Sequence, residues 1–144
     1  MLKLRKNKKG FTLVELIVVI AIMAVLAGTV AGVTVTQLNK QTDNNGVTQA
    51  KLIADFVVQE IGADAENVLN ADDKFATKND KIYIATRIEN EMKNDKIGFG
   101  SGKGQITITA SADSVIIKYN SKQSKKGITY TVTPDGKTVS AKDA

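Results

Sequence analysis

The 144-residue chain contains neither histidine nor cysteine, so imidazole general-base chemistry and thiolate nucleophiles are both excluded. What remains for chemistry is carboxylates, lysines and hydroxyls. Asp64, Glu66, Asp72 and Asp73 supply the oxygen ligands that calcium prefers, but their spacing fits no calcium loop. Solvated loop and helix charges describe them better. Phe99–Gly104 (FGSGKG) has the composition of a phosphate loop without its G-x-x-x-x-G-K-[ST] spacing or its strand–loop–helix setting, which excludes nucleotide binding. No catalytic constellation, metal site or cofactor is therefore expected. One carboxylate stands apart. Glu15 lies just inside a long apolar run, and no other charged side chain occurs from Leu16 to Asn39. An acidic side chain costs about 2.5–3.5 kcal/mol at the centre of a spanning helix, and less near an end where it reaches the headgroups. Its chemistry is that of an anion waiting for a cation.

The element that positions Glu15 is the run itself, Lys8–Val35 (KKGFTLVELIVVIAIMAVLAGTVAGVTV). As a helix, residues 11–35 extend roughly 38 Å, enough to cross a hydrocarbon core of about 30 Å with some tilt. The five charges ahead of it, Lys3, Arg5, Lys6, Lys8 and Lys9, are all positive, which places the N-terminus inside and the rest of the chain outside.

At the head of this run, Gly10-Phe11-Thr12-Leu13-Val14-Glu15 resembles the processing site of type IV prepilins and the related pseudopilins. The resemblance covers about the first forty residues: a short basic leader, Gly before an aromatic, Glu four residues later, then an unbroken apolar helix. It implies that a prepilin peptidase cuts between Gly10 and Phe11 and that Phe11 becomes the N-methylated terminus. Glu15 is then the fifth mature residue, and the helix stays on the subunit. The family commonly has a proline about two-thirds along this helix; Gly32 stands there, so no proline kink is expected. Many Gram-negative members also resemble one another in a C-terminal disulfide loop. A chain without cysteine is closer to the Gram-positive type, or to a pseudopilin.

Two other readings of the run compete. A secretory signal peptide has its small-residue cleavage site after the apolar region, and Ala27–Ala31 would pass as one, but the basic leader followed by Gly-Phe would then be coincidence. An uncleaved signal anchor leaves the cost of Glu15 unexplained. Within the run, Ala24, Gly28 and Gly32 recur every four residues on one helical face, ending at Thr36. Small residues at this spacing let helices approach closely, while each interior glycine weakens the helix by about 1 kcal/mol relative to alanine. The stripe reads either as a packing face or as a segment able to unwind, or as the ordinary abundance of Gly and Ala in spanning helices.

Past the membrane run, Thr36–Gly46 turns polar, and Asp43-Asn44-Asn45-Gly46 is a turn signal. Helical periodicity resumes in Val47, Leu52/Ile53, Phe56/Val57, Ile61, Ala65 and Val68/Leu69. The expectation is one long helix, bent or frayed near Asn44–Gly46, ending near Asn70; two separate helices are the alternative. Asn70–Asp80 reads as a loop. Lys81–Asn94 reads as a short helix N-capped by Asp80 with Ile82, Ala85, Ile88 and Met92 on one face, although Lys81–Thr86 is equally a strand. Alternation then marks strands at Gln105–Ala110, Ser114–Asn120 and Gly127–Thr133, and a tight turn at Pro134-Asp135-Gly136 leads into a further strand at Lys137–Ala141. An antiparallel sheet of three to four strands with one apolar face needs a cover, and the stripe from Val47 to Leu69 supplies it. The expected architecture is α+β: a long N-terminal helix on a C-terminal antiparallel sheet. Such a helix and sheet are also what the pilin resemblance implies.

The expected division is a leader at 1–10, a membrane or filament-core helix at 11–36 and an extracytoplasmic head at 37–144. The formal charge of +5 argues for no nucleic-acid partner, because removing the five leader charges leaves fifteen basic residues against fifteen acidic. The loop Ser121–Lys126 is a basic hairpin tip of the kind that is usually just solvated. Residues 40–95 hold 11 acidic and 7 basic side chains, while residues 96–144 hold 3 and 8. Opposite-sign surfaces suit a head-to-tail contact that propagates as a helix.

The resemblance implies a structural subunit rather than an enzyme, polymerised through its apolar helix. It starts in the cytoplasmic membrane and ends in a surface filament of the kind used in adhesion and motility. Its expected partners are further copies of itself, the prepilin peptidase, and the assembly platform with its ATPase. In this scheme Glu15 of an incoming subunit pairs with the α-ammonium of Phe11 on a subunit already added, each relieving the other's desolvation. A pseudopilin of a secretion or DNA-uptake machine is the alternative within the family. A signal-anchored surface binding or sensing domain is the alternative outside it.

Overall fold

The computed structural model describes residues 10–123 and 127–143. The leader charges Lys3, Arg5, Lys6, Lys8 and Lys9, and residues 124–126 of the basic hairpin tip, lie outside them. The chain divides into two compact units, Met1–Gln37 and Leu38–Ala144.

Helix α1 runs without interruption from Leu13 to Ala63. In the first unit it is apolar all round, and every residue from Gly10 to Leu38 is exposed. Its hydroxyls are satisfied within the helix: Thr29, Thr34 and Thr36 donate to the carbonyls of Leu26, Val30 and Gly32 at 3.0, 2.8 and 3.2 Å. Such bonds satisfy a polar side chain without water. The helix continues through Gly28 and Gly32, and a Cβ at either would meet nothing within 4 Å.

In the second unit α1 becomes amphipathic. Asp43, Gly46, Ala50, Ile53, Ala54, Val57 and Glu60 are buried, a stripe with the three-and-four spacing of one helical face. The anticipated break at Asp43–Gly46 does not occur. Local turn propensity is overridden because both residues are recruited into tertiary contacts, described below. Leu52, expected on the buried face, is half exposed. The helix also ends earlier than Asn70: Asp64 leaves the helical conformation (φ −135°, ψ 43°), and a single turn, α2 (Ala65–Val68), follows.

The segment expected to be a loop holds a small hairpin, β1 (Thr77–Lys78) paired antiparallel with β2 (Lys81–Ile82). Asn79 and Asp80 both have positive φ, 53° and 61°, which is the geometry of a two-residue hairpin turn. Asp80 is therefore a turn residue and not a helix cap. Lys81 and Ile82 are extended, and helix α3 (Tyr83–Glu91) starts directly after them with Ile82 at its N-cap. Each expectation for this stretch describes part of it, with Ile84 and Ile88 as the buried contacts.

The sheet is a four-stranded antiparallel meander in the order β3 (Ile106–Ala110), β4 (Val115–Tyr119), β5 (Ile128–Val132), β6 (Thr138–Lys142). Its register sets Ile106, Tyr119 and Ile128 in one row, Ile108, Ile117 and Tyr130 in the next, and Ala110, Val115 and Val132 in the third. These rows form the inner face on which the α1 stripe packs, and Phe75, Val68, Ile84, Ile88 and Ile97 close the core. Burying a residue such as Ile53 or Val57 stabilises by roughly 1.5–3 kcal/mol, which is what fixes α1 to the sheet. Gly136, at φ 80°, makes the β5–β6 turn with Pro134 and Asp135. The architecture is α+β, a long N-terminal helix on a C-terminal antiparallel sheet, consistent with the pilin fold.

Candidate functional site: the head of the apolar helix

Glu15 sits in the first turn of α1, and the turn is built around it. The Thr12 backbone N–H donates to Glu15 Oε2 at 3.0 Å, and the Glu15 N–H donates to Thr12 Oγ1 at 3.2 Å. Leu16 N–H donates to the Thr12 carbonyl at 3.2 Å, the first i→i−4 bond of the helix. This is a reciprocal capping box, T-x-x-E, which satisfies two of the helix's orphan donors and places the carboxylate at the positive end of the helix dipole. The spacing from Thr12 to Glu15 announces it in the sequence, but it was legible there only as part of a processing motif.

The capping box leaves a definite remainder. Glu15 Oε2 is engaged, while Oε1 accepts no hydrogen bond among the described residues. The side chains of Phe11, Glu15, Leu16 and Val19 line a shallow recess on this first turn. Phe11 is the most exposed large apolar residue among the described residues, at 92%. Ala24, Gly28 and Gly32 continue along the helix as a stripe with open space over both glycines.

A second cluster fixes the far end of the buried stripe. Arg87 of α3 lies between Glu60 of α1, Asp64 at the junction of α1 and α2, and Glu91 on its own helix. Its guanidinium bonds Glu60 Oε2, Asp64 Oδ2 at 3.3 Å and Glu91 Oε1 at 2.6 Å, and it lies 6.0 Å from the Phe56 ring centre. The Glu91 bond raises the Arg87 pKa against the opposing effect of burial. Asp64, one of the four acidic residues weighed as calcium ligands, is thereby committed to Arg87 and to Asn67. Neither the cluster nor the Asp43 contacts were read from sequence, because their partners lie 23–27 and 76–80 residues away.

Residues 5–31 match the family model described as the prokaryotic N-terminal methylation motif. The chain thus carries the type IV prepilin-like signature, and the match covers the N-terminal segment alone. No curated protein and no solved structure matches the chain. By length and composition α1 is also able to cross a membrane, with a mean hydropathy of 2.8 over its most apolar stretch, none of it buried.

Proposed function

We propose that this protein is the structural subunit of a type IV pilus, made as a prepilin with a leader of residues 1–10. A prepilin peptidase hydrolyses the Gly10–Phe11 amide, releasing Gly10 as a carboxylate and Phe11 as a free amine, which then receives a methyl group from a methyl donor. Before assembly residues 11–36 span the cytoplasmic membrane; afterwards they pack in the filament core, with residues 37–144 outside.

The observation that carries this reading is that every residue from Gly10 to Leu38 is exposed in a chain whose residues 5–31 match the methylation motif. An apolar helix this long buries nothing in its own chain, so lipid or other copies must cover it. Glu15 supplies the specificity. The capping box holds its carboxylate near the helix start with Oε1 unengaged among the described residues, and the ammonium of a neighbouring Phe11 is the cation a processed filament brings to that depth. Ala24, Gly28 and Gly32 form the face on which helices approach closely.

Electron microscopy of material sheared from the cell surface tests the reading. Long filaments containing this chain are expected for a pilus. Short stubs formed only on overexpression would point to a pseudopilin, and the chain found solely as separate membrane copies would refute polymerisation.

A further inference from the structure

The head unit is polarised along the strands of its sheet. One end is formed by Gly104–Ile106, Tyr119–Lys122, Gly127–Ile128 and Lys142–Asp143, which the antiparallel register brings together. It is the end at which the chain enters this unit, because Asp43 of α1 accepts hydrogen bonds from the Lys122 and Gln123 amides there at 2.8 and 3.3 Å. Lys40, one turn earlier on α1, and Lys103, Lys122 and Lys142 are all exposed. The Lys122 side chain lies over Gly104, directly beside Lys103: a Cβ on that glycine would approach Lys122 Cε to 2.8 Å. Among the described residues none of these four lysines forms an ion pair. The opposite end differs: Lys74 is paired with Asp113 at 3.2 Å and Lys137 with Asp135 at 3.3 Å.

We infer that this lysine rim is a docking surface for the anionic phospholipid headgroups of the bilayer in which the subunit waits before assembly. The inference rests on the proposed membrane-spanning role of residues 11–36. Its sign and its place argue for lipid. Lys40 follows Val35, the last apolar residue of the run, by five positions, and exposed lysines beside a span are drawn to an anionic surface. The attraction fades within a Debye length of about 8 Å at physiological salt, so it protects these lysines only when they lie at the headgroups themselves. Docking holds the head against the membrane while the subunit is stored, and the contact is lost when the subunit is lifted into a filament.

The test is lysine acylation footprinting of the full chain in vesicles, read by mass spectrometry. Zwitterionic phosphatidylcholine vesicles are compared with vesicles containing phosphatidylglycerol. Lys40, Lys103, Lys122 and Lys142 are expected to become several-fold less reactive on the anionic vesicles, with Lys74 and Lys137 unchanged, and high salt is expected to erase the difference. Substituting Lys103, Lys122 and Lys142 together by Gln should abolish the protection of Lys40, each lysine contributing about fivefold to docking. Equal reactivity on both vesicle types would overturn the inference. So would protection that grows with protein density irrespective of lipid charge, since it would report contact between copies. An alkaline wash that strips the chain from both vesicle types would refute the membrane-spanning reading instead, which keeps the two failures apart.

Discussion

Tyr119 Oη donates to Asp43 Oδ1 at 2.9 Å, and the ring of the same tyrosine occupies the space beside Gly46, one turn further along α1, where a Cβ would stand. A single side chain of β4 thus locks two neighbouring turns of the helix. Asp43 also accepts from Ser121 Oγ at 2.9 Å and from the Lys122 and Gln123 amides, so one buried carboxylate organises the loop after β4. Replacing Asp43 by Ala strands these donors and should cost about 3 kcal/mol of head stability, measured by urea unfolding in detergent.

The same site predicts a pH dependence. Burial alone would raise the Asp43 pKa, but the bonds from Lys122, Tyr119, Ser121 and Gln123 outweigh it and hold the carboxyl below its ordinary range. Burial and the facing Asp43 push the Tyr119 phenol well up. A depressed carboxyl contributes stability that is complete above its unfolded value of about 3.9 and is lost as pH falls through the folded value. A raised phenol contributes stability that is complete below about 10 and is lost as pH rises through the folded value. The unfolding midpoint should therefore drop on acidification below about pH 4, and Asp43→Asn should flatten that drop.

Gly46→Ala distinguishes propensity from packing. Alanine in a helix interior is favoured over glycine by about 1 kcal/mol. Here its Cβ would stand 2.1 Å from Tyr119 Cε2, and the ring is tethered to Asp43, so it cannot swing away. Overpacking of this kind costs about 1–3 kcal/mol, and net destabilisation is the expected result. Gly62→Ala, where nothing lies within 4 Å, should instead leave stability unchanged or raise it.

Asp43 and Gly46 also mark the boundary of what the sequence discloses. Period-two alternation located β3, β4 and β5 and their inner faces, because a strand with one face in the core must alternate; β6, exposed along its whole length, was legible only through the turn before it. The apolar run with Glu15 was equally plain, since composition alone decides whether a helix can live in lipid. Asp-Asn-Asn-Gly read as a turn because turn propensity is local, whereas the residues that use Asp43 and Gly46 lie across the fold. Asp80 failed for a related reason: the same residue type serves as helix cap and as hairpin turn, and only pairing of Lys78 with Lys81 decides between them. Arg87 gave no signal at all, since nothing in its local pattern points to Glu60.

Arg87→Ala leaves Glu60, nearly buried, without its cation, and Arg87→Lys cannot reproduce the forked contacts to Glu60, Asp64 and Glu91. Both variants should melt below the parent chain, and Glu91→Ala, which removes the most exposed partner, should lower the melting temperature least.

The capping box and the proposed intersubunit pair make separable demands on the N-terminal turn. Thr12→Ala removes the Oγ1 acceptor and should destabilise the first turn by about 1 kcal/mol, seen as faster amide exchange at Glu15, while Thr12→Ser restores it. Glu15→Val should leave leader cleavage intact and abolish filaments. Normal filaments from that variant would refute the pairing.

The most direct measurement is the intact mass of the chain recovered from sheared surface filaments of cells expressing it at native level. The account predicts a single species beginning at N-methylated Phe11, and a Gly10→Ala variant that accumulates in the membrane as the uncut precursor. A chain that keeps Met1, present only as dispersed copies in the cytoplasmic membrane, would contradict it.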